Sequence, residues 1–254
     1  MIKKLFILFS ALQPYLLWAH HHVPLKQKEE FVGSFHLRYF HKKEDISIFS
    51  EINTLTERDS RSFKSFTLGL KHRPFSNLKT GFYYSRRYGL RHDEDWIKEN
   101  NEWVWRKTDS RGEDFILIDI APRFVIDILP GENWVAELRL RTLYNFFNSD
   151  ITEKIRPGLT YHWFRKGAPF MSFYTHYEWY LPLNYGKENI YERWAYLGFM
   201  YYINTNFQIG SYFAHRKVTW RESNAAKNSP NNTFYKFNER SKIIGLNLNI
   251  KTFD

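Results

Sequence analysis

Three histidines stand together at His20, His21 and His22, directly after Ala19. A cut after Ala19 makes them the new amino terminus. A free α-amine, two deprotonated amides and the third-position imidazole can then enclose Cu(II) or Ni(II) in a square plane. The competing reading is a solvated tail. A second pairing of interest is Ser211 with His215, which share a strand face with Phe213 between them. Four residues of strand separate them by about 13 Å, too far for a serine–histidine hydrogen bond. His162 and His176 fall on neighbouring strands but far apart in register, which argues against a metal site. No glycine-rich phosphate loop, metal-binding histidine helix or Gly-x-Ser-x-Gly elbow is present. The sequence therefore predicts no enzyme and no cofactor. Asn231-Asn232-Thr233 reads as a turn.

The remaining chemistry-bearing residues are charges that recur at every second position. Arg38, Glu51, Lys71, Asp119, Arg123, Glu137, Arg139, Arg141, Arg156, His176 and Glu178 all fall on the polar face of alternating segments. Folding the chain about Pro130 sets residues whose numbers sum to 260 opposite one another. Arg123 then meets Glu137 and Asp119 meets Arg141, while Ile120 meets Leu140 and Pro122 meets Leu138 on the other face. One register satisfies both faces, as cross-strand pairing favours. Folding about Lys166 sets Lys154 opposite Glu178 and Arg156 opposite His176. Some inward arginines must lack an acidic partner, and Arg139, which faces only Ala121, is the one on which an anion preference is expected to rest.

The elements that must carry these residues follow from the period. From Phe31 onward the pattern is alternation rather than a 3.6-residue repeat. Eleven strands are expected, at 31–40, 45–56, 63–73, 78–88, 113–125, 133–145, 152–164, 169–181, 190–202, 206–219 and 235–252. Each runs about ten residues or more, the length a tilted membrane strand needs, against five or six in ordinary soluble strands. Short turns alternate with longer loops, the habit of an outer-membrane barrel. Both termini of such barrels lie on one side, which requires an even count, so twelve is the expected correction and ten the next. Trp134, Tyr161, Trp163, Trp179, Tyr202 and Trp220 fall near strand ends, where headgroups would be.

Composition agrees. The 254 residues include 23 Phe, 17 Tyr and 9 Trp, which suits pleated surfaces and membrane interfaces. No cysteine is present, so no disulfide framework supports a secreted soluble fold. Lys3 and Lys4 ahead of the apolar stretch Leu5 to Leu17, then small Ala19, read as a secretory signal over 1–19. A flexible segment is expected at 20–30 and the barrel at 31–254. The net charge of +10 is expected to meet lipopolysaccharide or anionic solutes. A signal peptide with a membrane barrel argues against nucleic acid as a partner.

Three local sequences carry a resemblance. They are Ile118-Asp119-Ile120-Ala121-Pro122-Arg123-Phe124, then Arg156-Pro157-Gly158-Leu159-Thr160-Tyr161, then Tyr180-Leu181-Pro182-Leu183-Asn184 followed by Glu192-Arg193-Trp194. With the strand rhythm from about 30 to 253, they resemble the bacterial family called domain of unknown function 2490. That resemblance implies an outer-membrane-type barrel and no activity. The chain ends Lys251-Thr252-Phe253-Asp254, which departs from the usual terminal signal of such barrels.

The expectation is thus an all-β, antiparallel up-and-down transmembrane barrel of ten to twelve strands in a bacterial outer membrane. Its partners would be outer-membrane lipid, lipopolysaccharide and the barrel assembly machinery. Two functions remain open: a narrow anion-preferring channel for small solutes, or a structural or ligand-binding barrel with a plugged lumen.

Overall fold

The computed structural model describes residues 26–56, 63–89, 96–99, 102–105, 112–126, 133–147, 149–184, 192–221 and 236–253. The leader 1–19, His20–His22, Pro130 and Asn231–Thr233 lie outside them. The period-2 signal is realised throughout, with no helix among the described residues. The strands are β1 (Lys26–Lys43), β2 (Ile46–Thr56), β3 (Phe63–Phe75), β4 (Leu78–Tyr88), β5 (Trp96–Glu99), β6 (Glu102–Trp105) and β7 (Glu113–Ile126). They continue as β8 (Trp134–Asn145), β9 (Ile151–Arg165), β10 (Ala168–Pro182), β11 (Glu192–Tyr202), β12 (Phe207–Arg221) and β13 (Lys236–Phe253).

Eleven of these close into one barrel in the order β1-β13-β12-β11-β10-β9-β8-β7-β4-β3-β2. The pair β5–β6 forms a separate hairpin within the long connection between β4 and β7, where only loop was expected. The eleven barrel strands match the eleven expected segments to within a few residues. The largest change is in β1, which takes Lys26–Glu30 into the ladder, five residues expected in the flexible segment.

The count stays odd, and this corrects the topology. Neighbours are antiparallel around the barrel except at the closure, where β1 and β13 pair in parallel from Lys26↔Phe237 to Lys42↔Phe253. Closure requires only that the last two edges present complementary amide and carbonyl ladders, and a parallel ladder meets that condition as an antiparallel one does. No split or missed strand is needed. The ends of the barrel chain, Lys26 and Phe253, consequently lie at opposite ends of the barrel.

Connections at one end span 44–45, 76–77, 127–133, 166–167 and 203–206; those at the other span 57–62, 89–112, 146–150, 183–191 and 222–235. The expected asymmetry is broken by 127–133, which is longer than both 57–62 and 146–150.

The hairpin of β7 and β8 has the register the charges demanded. Asp119 pairs with Arg141, Ile120 with Leu140 and Arg123 with Glu137. The hairpin of β9 and β10 is displaced by two residues from the expected register. Lys154 pairs with Tyr180, and His176 with Gly158, not with Arg156. Two single-residue steps add up to that shift. The turn is two residues, Lys166 and Gly167, both at positive φ (52° and 76°), so the pivot falls between them. A bulge between Pro169 and Met171 then adds one more. A shift of two preserves which face each side chain takes.

The faces are inverted relative to a soluble barrel. Outward, Ile46, Ile48 and Ile52 on β2 and Phe66, Leu68 and Leu70 on β3 are each about half exposed. Inward, polar and charged side chains share the interior with aromatics. One cluster joins Val32, Leu55, Trp194, Tyr212, Ala214 and Ile243, with Phe63, Tyr174, Tyr180 and Tyr196 packed against it. Leu55 and Trp194 sit on β2 and β11, four strands apart, so this cluster is a chord across the interior. A second joins Phe49, Tyr83, Phe115, Leu117 and Leu143, with Phe40 against it.

Candidate functional site

Alternation sends every one of the eleven charged positions singled out from sequence to the inside of the barrel. They do not form one constellation. On β1 and β2, Arg38 is paired through Nε with Glu51, its cross-strand partner, and His36 Nδ1 lies 3.7 Å from the same carboxylate. On β3, Lys71 stands over the rings of Phe49 and Phe40, 3.8 and 4.5 Å from their centroids. His176 is stacked on Tyr174 and tilted against Tyr196, with ring centroids 5.5 and 4.3 Å away. It belongs to the aromatic packing rather than to the charge network.

The remaining charges converge from β4, β7, β8, β9 and β10. Arg141 grips Asp119 with both arms of its fork, the Nη2–Oδ2 bond measuring 2.7 Å. Arg139 Nε lies 4.0 Å from the same aspartate. Glu137 sits at the centre of four cations. Arg139 Nη2 donates to Oε1 at 3.1 Å and Lys79 Nζ to Oε2 at 3.4 Å. Arg156 Nη2 is 3.6 Å from Oε1, and Arg123 Nε is 3.4 Å from Oε2. Arg156 also reaches Glu178 at 3.5 Å, and Lys154 binds Glu178 at 2.6 Å.

Lys79 was not among the singled-out residues, whereas Lys154 was expected opposite Glu178 and does bind it, from a register shifted by two. Lys79 enters because β4 pairs with β7, past the β5–β6 hairpin, placing it opposite Ala121. Alternation from the 76–77 turn through Lys79, Gly81 and Tyr83 was the signal available. Arg139 is less isolated than its position opposite Ala121 implied, because its side chain reaches along β8 to Glu137. Its direct cross-strand neighbour on β9 is Arg156, a like charge. Both cations border Oε1 of Glu137, which lies between them. The Nε atoms of Arg139 and Arg123 are nevertheless buried without a hydrogen-bond acceptor.

The tyrosines of the interior have a recurring arrangement that alternation alone did not reveal. Tyr212 on β12 lies over Gly245 of β13, where an added Cβ would stand 2.1 Å from the ring. Its hydroxyl then donates to Ser34 on β1 at 2.8 Å and lies 3.1 Å from His36 Nε2. Ser34 is itself the register partner of Gly245. One side chain thus crosses the whole parallel seam. Tyr174 treats Gly198 in the same way and accepts a hydrogen bond from Asn247 at 3.2 Å.

No family model, curated protein or solved structure matches the chain. What the residues can do must be read from the geometry.

On the outer surface, Ser211 donates to the carbonyl of Gly245 at 3.0 Å. It and His215 pair with Leu246 and Lys242 respectively, with exposed Phe213 between them. His162 binds Ser172 at 2.8 Å, four positions along β10 from His176. Among the described residues, no three His, Asp or Glu side chains are grouped to hold a metal. Of the six residues expected in aromatic girdles, Trp134 packs on Tyr161 at 4.9 Å, Trp163 on Phe170 at 5.2 Å and Trp179 on Tyr177 at 4.9 Å. Tyr202 is corrected: it faces inward, opposite Gln208, with its hydroxyl 2.9 Å from Ser172 Oγ. The side chain of Trp220 lies outside the described residues.

Proposed function

We propose that the protein is an outer-membrane β-barrel whose side-chain-filled lumen makes it a structural or ligand-binding barrel rather than an open pore. The observation that carries this reading is the outward apolar surface, present on every barrel strand. Phe35, Ile48, Leu68, Phe82, Ile118 and Leu140 represent six consecutive neighbours and are 36–55% exposed. Leu246, Ile209, Leu197, Phe173 and Trp163 continue the belt through the other five. A soluble monomer rarely exposes an apolar patch beyond about 300–600 Å², and a belt around a whole barrel exceeds that. The belt also has a polar border at the long-connection end. There Arg86 pairs with Asp114 at 2.9 Å, Thr142 with Glu153 at 2.7 Å, and Lys64, Arg193 and Lys242 follow the last apolar residues. The resemblance to domain of unknown function 2490 points the same way, as does the signal expected over 1–19.

Filling of the lumen favours the plugged reading over free transport. In an open pore, lining side chains face water. Here inward Tyr83, Leu117, Ile243 and Glu178 are at most 2% exposed. Membrane fractionation tests location: recovery in the outer-membrane fraction with heat-modifiable mobility is expected, and a soluble, detergent-free protein would overturn the reading. A planar bilayer tests the lumen, with no steady conductance expected.

A narrow anion-preferring channel is the second reading, favoured by the excess of inward cations. It requires steady conductance, and a reversal potential that moves toward cations on Arg139→Glu.

A further inference from the structure

The network around Glu137 carries more positive charge than the protein supplies acids for. Its cations are Lys79, Arg123, Arg139, Arg141, Lys154 and Arg156, and its acids are Asp119, Glu137 and Glu178. Six against three leaves +3. Asp119 is taken up by both arms of Arg141, and Glu178 by Lys154 at 2.6 Å. Most of the surplus therefore falls on Lys79, Arg123, Arg139 and Arg156, which share Glu137, Arg156 alone having a second carboxylate, Glu178, at 3.5 Å.

Two further observations give this surplus a direction. Arg123 Nε and Arg139 Nε are buried donors with no hydrogen-bond acceptor, and leaving a buried donor of a charged group unmet is costly. Accessibility is also uneven. The side chains of Asp119 and Glu178 are only 6% and 2% exposed, whereas those of Arg123, Arg139, Arg156 and Lys79 are 24%, 22%, 21% and 39% exposed. Asp119 and Glu178 are sealed behind, whereas the four cations and Glu137, itself 20% exposed, remain reachable. Lys79 and Arg123 stand near the short-turn ends of β4 and β7, so the approach is from that mouth.

We infer that this cluster is a binding site for a phosphate-class oxyanion, entered from the short-turn mouth. A tetrahedral dianion offers several acceptor oxygens to planar guanidinium forks, and its charge suits the surplus better than chloride or a single carboxylate. Glu137 holds the cations together when the site is empty and competes with the incoming anion. The inference goes beyond the barrel reading and does not depend on the protein's location.

The test is calorimetric titration of the purified, folded protein with inorganic phosphate, beside chloride at equal ionic strength. Saturable phosphate binding is expected, with chloride much weaker. Arg139→Gln and Lys79→Met should each weaken phosphate by about tenfold or more, the worth of one charge-assisted hydrogen bond. Glu137→Gln should strengthen it. Lys242→Gln removes an exposed outward cation and should leave affinity unchanged. Absence of saturable binding overturns the inference. So does binding that ignores Arg139, Lys79 and Glu137, or that falls equally with Lys242→Gln. Should Arg139→Gln fail to fold, the opposite signs expected of Lys79→Met and Glu137→Gln still decide it.

Discussion

Asp119 and Arg141 show how unequal two partners in one ion pair can be. Asp119 answers Arg141 through two hydrogen bonds and stands 4.0 Å from Arg139 as well. Removing the aspartate strands two guanidinium groups in a confined space; removing Arg141 leaves an acid with a second cation beside it. Breaking a buried pair from one side costs about 3–5 kcal/mol. Asp119→Asn is therefore expected near the top of that range and Arg141→Met near the bottom, with the double variant costing less than the sum. Urea unfolding of the four proteins in a detergent or lipid host measures this. Additive losses would mean that the two side chains do not act as a pair. This contact was legible in the sequence because the register Asp119↔Arg141 and Arg123↔Glu137 sets opposite charges at matching positions with apolar residues between. The crowd around Glu137 was not. It needs Lys79 from a strand whose neighbour in space is not its neighbour in sequence, and pairwise matching about a turn cannot see a fourth ligand arriving from elsewhere.

At the scale of elements, alternation located the barrel strands well, because long runs with one face greasy and one face polar have no other regular solution. Register was harder. The β7–β8 hairpin was pinned by charge, but that of β9 and β10 was misplaced by two, since a turn centred between residues and a bulge at Phe170 each add one step and together leave the face of every side chain beyond them unchanged. The glycine–tyrosine pairs escaped notice because Gly245 and Gly198 read only as small members of a polar face. Gly245 provides space for the Tyr212 ring to reach β1, and parallel pairing is slightly weaker than antiparallel, so the closure relies on this brace. Gly245→Ala is expected to destabilise by about 1–3 kcal/mol, the usual range for overpacking. Tyr212→Phe, which loses the bonds to Ser34 and His36, is expected to cost about 0.5–1.5 kcal/mol per hydrogen bond. In a Tyr212→Ala background the Gly245→Ala penalty should disappear; a penalty that persists there would place the clash elsewhere.

The whole molecule turns on that seam. An even barrel returns the chain to its starting side, whereas eleven strands closed in parallel deliver Lys26 and Phe253 to opposite ends. No local pattern distinguishes the two closures, because the outward residues of β1 and β13 alternate identically in either direction. The chain contains no cysteine, so paired thiols can be introduced without background. Tyr39 and Ile250 are register partners on the outward face. Adjacent strands lie about 4.8 Å apart, inside the range of about 4.4–6.8 Å between Cα atoms that a disulfide spans. Tyr39→Cys with Ile250→Cys should therefore cross-link on mild oxidation. Phe31 pairs with Lys242. It lies eight positions from Ile250, about 26 Å along the strands, so Phe31→Cys with Ile250→Cys should not cross-link. An antiparallel seam crossing Phe35 and Leu246 at the same point would reverse both results. In membranes the same topology has a second consequence: a thiol at Gln27 and one at Phe253 should react with an impermeant reagent from opposite sides. Labelling of both from one side would remove either the parallel closure or the proposed membrane insertion, and the cross-linking result separates the two.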